Sequence, residues 1–142
     1  MKKRIDDKIN EIKNYLKQLI SIKPESLDKY VADFKTKAAC ERYFEKIAEA
    51  VSDLAVLVIK EKWLRVPDED NEYFEALKNE SFISSNLAKK LKEMKGMRNI
   101  IAHQYGSIDD ELVYTAINDE LNDDIKKFIE IVNKLLKQEK IN

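Results

Sequence analysis

Residues 36–63 read TKAACERYFEKIAEAVSDLAVLVIKEKW. Cys40, Phe44, Ile47, Val51, Leu54 and Val58 recur at alternating spacings of three and four, the period of one α-helix face. A second apolar line, Tyr43, Ala50 and Leu57, runs beside the first. An apolar surface this broad is too wide for a helix that packs on one side only. The stretch is therefore either the central helix of a bundle or half of a subunit interface. Thr36 stands where an N-cap is expected.

The segments on either side also carry helical periods. Ile5, Ile9, Ile12, Leu16 and Leu19 predict a first helix over Lys3 to Ile22, closed by Pro24. A short helical piece follows, with Leu27, Tyr30, Val31 and Phe34 as its expected buried side. After Trp63 comes the one clear loop, Arg65 to Asn71, where Pro67 precedes three acidic residues. A short helix with Tyr73, Phe74 and Leu77 leads to a break at Asn79 to Ser81. A longer helix is then expected from about Ile83 to Gln104, ended by Gly106. Ser107 or Asp109 would cap a short helix through Ile117. Leu121, Ile125, Phe128, Val132 and Leu135 predict a final long helix.

Composition agrees with this pattern. The 142 residues hold two glycines and two prolines, too few for strands and turns, and 37% are charged against 44% hydrophobic. The expected fold is all-α, an antiparallel four- to five-helix bundle forming a single domain over residues 1–142. One cysteine, Cys40, cannot form an intramolecular disulfide, which suits a reducing compartment. The N-terminus lacks the apolar run of a signal peptide, and no apolar stretch reaches the roughly 20 residues that span a membrane. A cytoplasmic protein without membrane contact is the expectation.

The chemistry concentrates in residues 97–107, MRNIIAHQYGS, which contain the only histidine, His103. Leu87, Leu91, Met94 and Ile101 form an apolar line, and Arg98 completes it between Met94 and Ile101. An arginine on such a line needs a carboxylate or a phosphate partner. Glu49 or Asp53 could hold it as a structural residue; a bound phosphate is the functional alternative. Lys89, Lys90, Lys92 and Lys95 approach the same segment, giving either a solvated lysine face or a local patch for an anion, with Lys92 and Lys95 as candidate RNA contacts. One histidine and one cysteine cannot build an ordinary zinc site, and there is no glycine-rich phosphate loop and no nucleophile elbow. No metal site and no cofactor are expected.

Arg98-Asn99-Ile100-Ile101-Ala102-His103-Gln104-Tyr105 resembles the Arg-x4-His-x-Tyr motif of the HEPN superfamily in its HepT-like branch. The helix around Glu41-Arg42-Tyr43, the Tyr73-Phe74 helix, the Gly106-to-Ile108 turn and the last amphipathic helix follow in the order such proteins show. The resemblance implies a metal-independent endoribonuclease toxin, dimeric, with a minimal nucleotidyltransferase (MNT-type) antitoxin as partner and RNA as substrate. It implies His103 as general acid/base, Arg98 as phosphate clamp, Asn99 as a positioning residue, and Tyr105 as a tyrosine to which the partner transfers AMP. An imidazole exchanges protons near neutral pH, and an arginine fork matches a phosphate that gains charge in the transition state. Five residues along an ideal helix turn about 140°, so Arg98 and His103 do not share a face, whereas Asn99 and His103 do. Either the last helical turn is irregular or two subunits contribute to one site. The competing readings are a non-catalytic regulatory subunit of a toxic nucleotidyltransferase and a purely structural bundle with a salt-bridged arginine.

Overall fold

The computed structural model describes residues 1–103 and 108–141, with side chains through residue 138. In chain order the α-helices are α1 (Lys2–Ile22), α2 (Leu27–Ala32), α3 (Phe34–Glu61), α4 (Tyr73–Asn79), α5 (Ser85–His103), α6 (Asp110–Thr115) and α7 (Leu121–Ile141). The long helices α1, α3, α5 and α7 form the bundle, and no strand occurs among the described residues. Lys8 meets Asp53 while the Lys46 ammonium lies over the Tyr15 ring, so α1 and α3 run antiparallel. Lys62 over the Phe82 ring and Arg98 on Glu49 give α3 and α5 the same relation. α7 packs against both α5 and α1 and closes the ring. No helix among the described residues is long and apolar enough to cross a membrane.

α3 is the central helix. Its first apolar line is buried throughout, together with Ala48, Ala50, Ala55 and Ile59. Helices α1, α2, α4 and α5 all pack on it, so the broad apolar face is covered within one chain and requires no second subunit. The core also takes Phe74 edge-on to Phe128, at 6.1 Å between ring centroids, which ties α4 to α7.

Several local expectations change. α3 begins at Phe34, and Asp33 is its cap: Oδ1 accepts from Thr36 N at 3.1 Å and Oδ2 from Thr36 Oγ1 at 2.7 Å. Thr36 is the capped donor rather than the cap. Tyr30 is buried as expected and Leu27 is half-buried, but Val31 is 50% and Phe34 75% exposed. α2 ends after six residues, so Phe34 starts α3 instead of joining the other three, and Val31 lies on the exposed side of α2. Trp63, 95% exposed, takes φ 58° just past α3, where Leu64 N–H returns to Ile59 O at 3.0 Å. Ser81 repeats the device after α4 at φ 62°. Ser84 starts α5 by accepting from Leu87 N at 3.0 Å. Asp109 caps α6 through Glu111 N and Leu112 N; Ser107 lies outside the described residues. A wide π-type turn, Ala116–Glu120, then carries α6 into α7 without the expected break.

Candidate active site

Arg98 stands in a polar pocket of about 310 Å³ with three walls. α3 presents Glu49, Ser52 and Asp53, and α5 presents Lys95, Arg98 and Asn99. Each set follows the spacing i, i+3, i+4, so each forms one compact patch on its helix, and the two patches face each other. Asp70, in a short 3-10 turn, and Tyr73, at the start of α4, make the third wall.

The Arg98 guanidinium is held on two sides. Its Nε donates to Glu49 Oε1 at 3.2 Å and its Nη2 to the same oxygen at 2.5 Å. Its Nη1 donates to Asn99 Oδ1 at 3.1 Å. A guanidinium has five N–H donors, so one hydrogen on each of Nη1 and Nη2 is left for another acceptor. Arg98 is half-buried, with 28% of its side chain exposed, while Leu87, Leu91, Met94 and Ile101 on its line are buried. A long aliphatic stem lets the charged end reach the pocket from an otherwise apolar line.

Lys95 is a buried cation of α5. Its side chain is 11% exposed, its Nζ lies 2.6 Å from Asp70 Oδ2, and the same Nζ sits 5.6 Å from the Tyr73 ring centroid. The lysine hydrogen bond holds the Asp70 carboxyl below the usual carboxylate range. Lys92 points elsewhere and pairs with Glu75, which also binds Lys78; these two lysines pull the Glu75 carboxyl down to about 2. Both lysines singled out in the sequence are thus engaged in ion pairs within the chain. The roof of Asp70 and Tyr73 and the Ser52 hydroxyl were not foreseen. The signal for Lys95 was present, since it precedes Arg98 by three on the same helix.

His103 is the last described residue of α5, which stays regular to that point, and it is exposed. It does not line the Arg98 pocket. Within this chain Arg98 and His103 therefore remain about 140° apart around the helix axis. Asn99 links the two: it bonds Arg98 and lies one turn from His103 on the histidine's face. Tyr105, with Gln104 and Gly106, lies outside the described residues. No group of three or more His, Cys, Asp or Glu residues that could hold a metal ion occurs among the described residues.

The family model described as ribonuclease HepT-like matches residues 5–132. The chain belongs to this family. It is 25% identical over 128 residues to the mRNA nuclease HepT of Shewanella oneidensis, covering 90% of this chain and 95% of that protein. It is 27% identical over 114 residues to the tRNA nuclease HepT of Aphanizomenon flos-aquae, covering 80% and 78% respectively. Among solved structures it is similar to a tri-AMPylated Shewanella oneidensis HEPN toxin in complex with MNT antitoxin, with a TM-score of 0.85 and 25% identity. That match covers 92% of this chain and 96% of the toxin. The all-helical bundle is thus the HEPN fold.

Proposed function

We propose that this chain is the RNA-cleaving toxin of a toxin–antitoxin pair and that Arg98, Asn99 and His103 carry the reaction. The observation that carries this reading is the Arg98 guanidinium, fixed by Glu49 and Asn99 with two N–H groups left over, in a chain of the ribonuclease HepT-like family. Arg98 binds the scissile phosphate through those two N–H groups and stabilises the charge it gains in the transition state. The RNA supplies its own nucleophile. Its 2′-oxygen attacks phosphorus, the 2′-proton passes to a base, and the bond to the 5′-oxygen breaks as an acid protonates that oxygen. An internal nucleophile needs no metal-bound water.

Two proton transfers at opposite ends of the phosphate call for two groups, and each chain has one histidine. This favours a two-fold homodimer in which each subunit lends His103 to a shared cleft. Ile100, 42% exposed beside Asn99, offers apolar surface at the same end of α5. A minimal nucleotidyltransferase is the proposed antitoxin, acting by transfer of AMP to Tyr105. The AMP phosphate would pair with Arg98 in place of RNA.

Incubation of the purified chain with RNA in excess chelator tests the reading. Cleavage by the parent and its loss in His103→Ala, with an unchanged thermal melt, is the expected result. RNA left intact by the parent would turn the assignment to a non-catalytic regulatory subunit. Intact-mass analysis after incubation with the nucleotidyltransferase, ATP and Mg²⁺ should show AMP additions that disappear in Tyr105→Phe.

A further inference from the structure

The Arg98 pocket holds more than a phosphate needs. Its volume of about 310 Å³ lies at the lower end of the roughly 300–1,000 Å³ found for small-ligand sites. A phosphate on Arg98 would occupy one corner and leave the α3 wall and the roof facing whatever is attached to it. That wall is a row of acceptors. Arg98 uses Glu49 Oε1 twice, which leaves Oε2. Lys8 lies 3.5 Å from Asp53 Oδ2, which leaves Oδ1. The Ser52 hydroxyl lines the same wall, and the half-buried Tyr73 closes the third side. Lys95 fixes that roof by binding Asp70 and lying against the ring, so the pocket is preformed.

We propose that this pocket is a base-binding subsite for the nucleotide whose phosphate sits on Arg98, and that Glu49, Ser52 and Asp53 make it selective for guanine. The inference rests on the ribonuclease reading above. A wall of carboxylate oxygens rewards a base edge that presents adjacent N–H donors and penalises one that presents acceptors. Guanine alone among the four bases sets two donors side by side, N1–H and N2–H₂. Adenine and cytosine place an amino group next to a bare ring nitrogen. Uracil places N3–H between two carbonyl oxygens, each of which would face a carboxylate. An aromatic wall beside such acceptors is the usual means of holding a splayed single-stranded base.

The test uses the full chain and two independent measurements. Short, unstructured uridine-rich RNAs, each carrying a single G, A or C, are assayed for cut position and kcat/KM. Separately, GMP, AMP, CMP and UMP are titrated and binding is followed by NMR. Cleavage next to G at least about tenfold faster than next to any other base, and GMP bound tightest by a similar factor, are the expected results. In Asp53→Asn/Ser52→Ala the ratio should fall to about twofold. Asp53 is well exposed, and a thermal melt verifies that the variant is folded. Equal cleavage and equal binding across the four bases would overturn the subsite, as would a preference that survives the double substitution. Preferential GMP binding without cleavage of any RNA would keep the subsite and remove the nuclease reading. Cleavage without base preference would do the reverse.

Discussion

Beside Arg98, the α3 carboxylates Glu49 and Asp53 face cations from α5 and α1, and the nearby Asp70 is tied to Lys95. Nearer the start of α3, Glu41 faces a second carboxylate, Asp110 from α6, and the buried phenol of Tyr30. The Lys37 ammonium opposes them at Glu41. The Lys37 ammonium bonds Asp110 Oδ2 at 2.9 Å and lies 2.8 Å from Oδ1 without a bonding angle. Among the described residues, the buried Tyr30 Oη, Glu41 Oε2 and Asp110 Oδ1 find no hydrogen-bond partner. The titration directions follow: burial pushes the Glu41 carboxyl up, while the Lys95 hydrogen bond holds Asp70 down. Glu41 and Asp70 shift in opposite directions because burial outweighs Lys37 at Glu41, whereas the Lys95 hydrogen bond outweighs burial at Asp70. In the proposed reading the first arrangement keeps its partners, and the phosphate adds to the two N–H groups left on Arg98. The second is a cost borne by the fold.

The contrast breaks most clearly at the level of activity. Arg98→Ala should lower RNA cleavage by about 10²–10³-fold in single-turnover assays, the usual loss of a transition-state donor. Lys37→Ala should leave the cleavage rate of the folded protein near that of the parent. Equal losses in both would mean that the two clusters act as one site.

Stability should order the other way. Lys37→Ala strands two carboxylates and should cost about 1–3 kcal/mol in urea denaturation, as for a buried polar group that loses its partner. Glu41→Gln should raise the melting temperature near neutral pH. The sign follows from the raised carboxyl: the ionised form is disfavoured in the folded state. Stability is therefore lost as pH rises from about 4.5 through the folded value and is regained in acid. A parent and Glu41→Gln pair whose melting difference does not shrink on acidification would refute this account.

Asp70→Asn should have the smallest effect. Its lowered carboxyl contributes stability above the ordinary value of 3.8, and that contribution fades as pH falls through the folded value. Asp70 is 68% exposed, so the expected change in melting is about a degree or less, with faster amide exchange confined to residues 68–73. A large drop in global stability would show that the roof is part of the core.

The comparison also shows where sequence reading stops. The four long helices, the broad apolar face of residues 36–63 and the buried lines on α1 and α7 were legible because a 3.6-residue period records which face is apolar. The pairing of Arg98 with Glu49 was among the readings weighed. Phe34 misled because periodicity cannot tell where a six-residue helix will end, and Val31 because so short a helix has too few positions to define its buried side. Lys95 was read with Lys92 as a candidate RNA contact on a lysine-rich face. Its enclosure depends on Asp70 and Tyr73, which lie more than twenty positions away and reach it through the loop after α3.

By itself the sequence determined the helical class, the order of elements and the motif from Arg98 to Tyr105, all of which are local patterns along one chain. The tertiary structure decided which charges meet. Lys37, Lys92, Lys95 and Arg98 look alike as cations in sequence, yet each is matched to a particular carboxylate by the antiparallel packing of distant segments. It also decided that the broad face of α3 is consumed within the chain, and that a three-walled pocket stands at Arg98 while His103 looks away from it. Ion pairing and enclosure depend on separation in space, and spacing along the chain fixes that separation only within a helix.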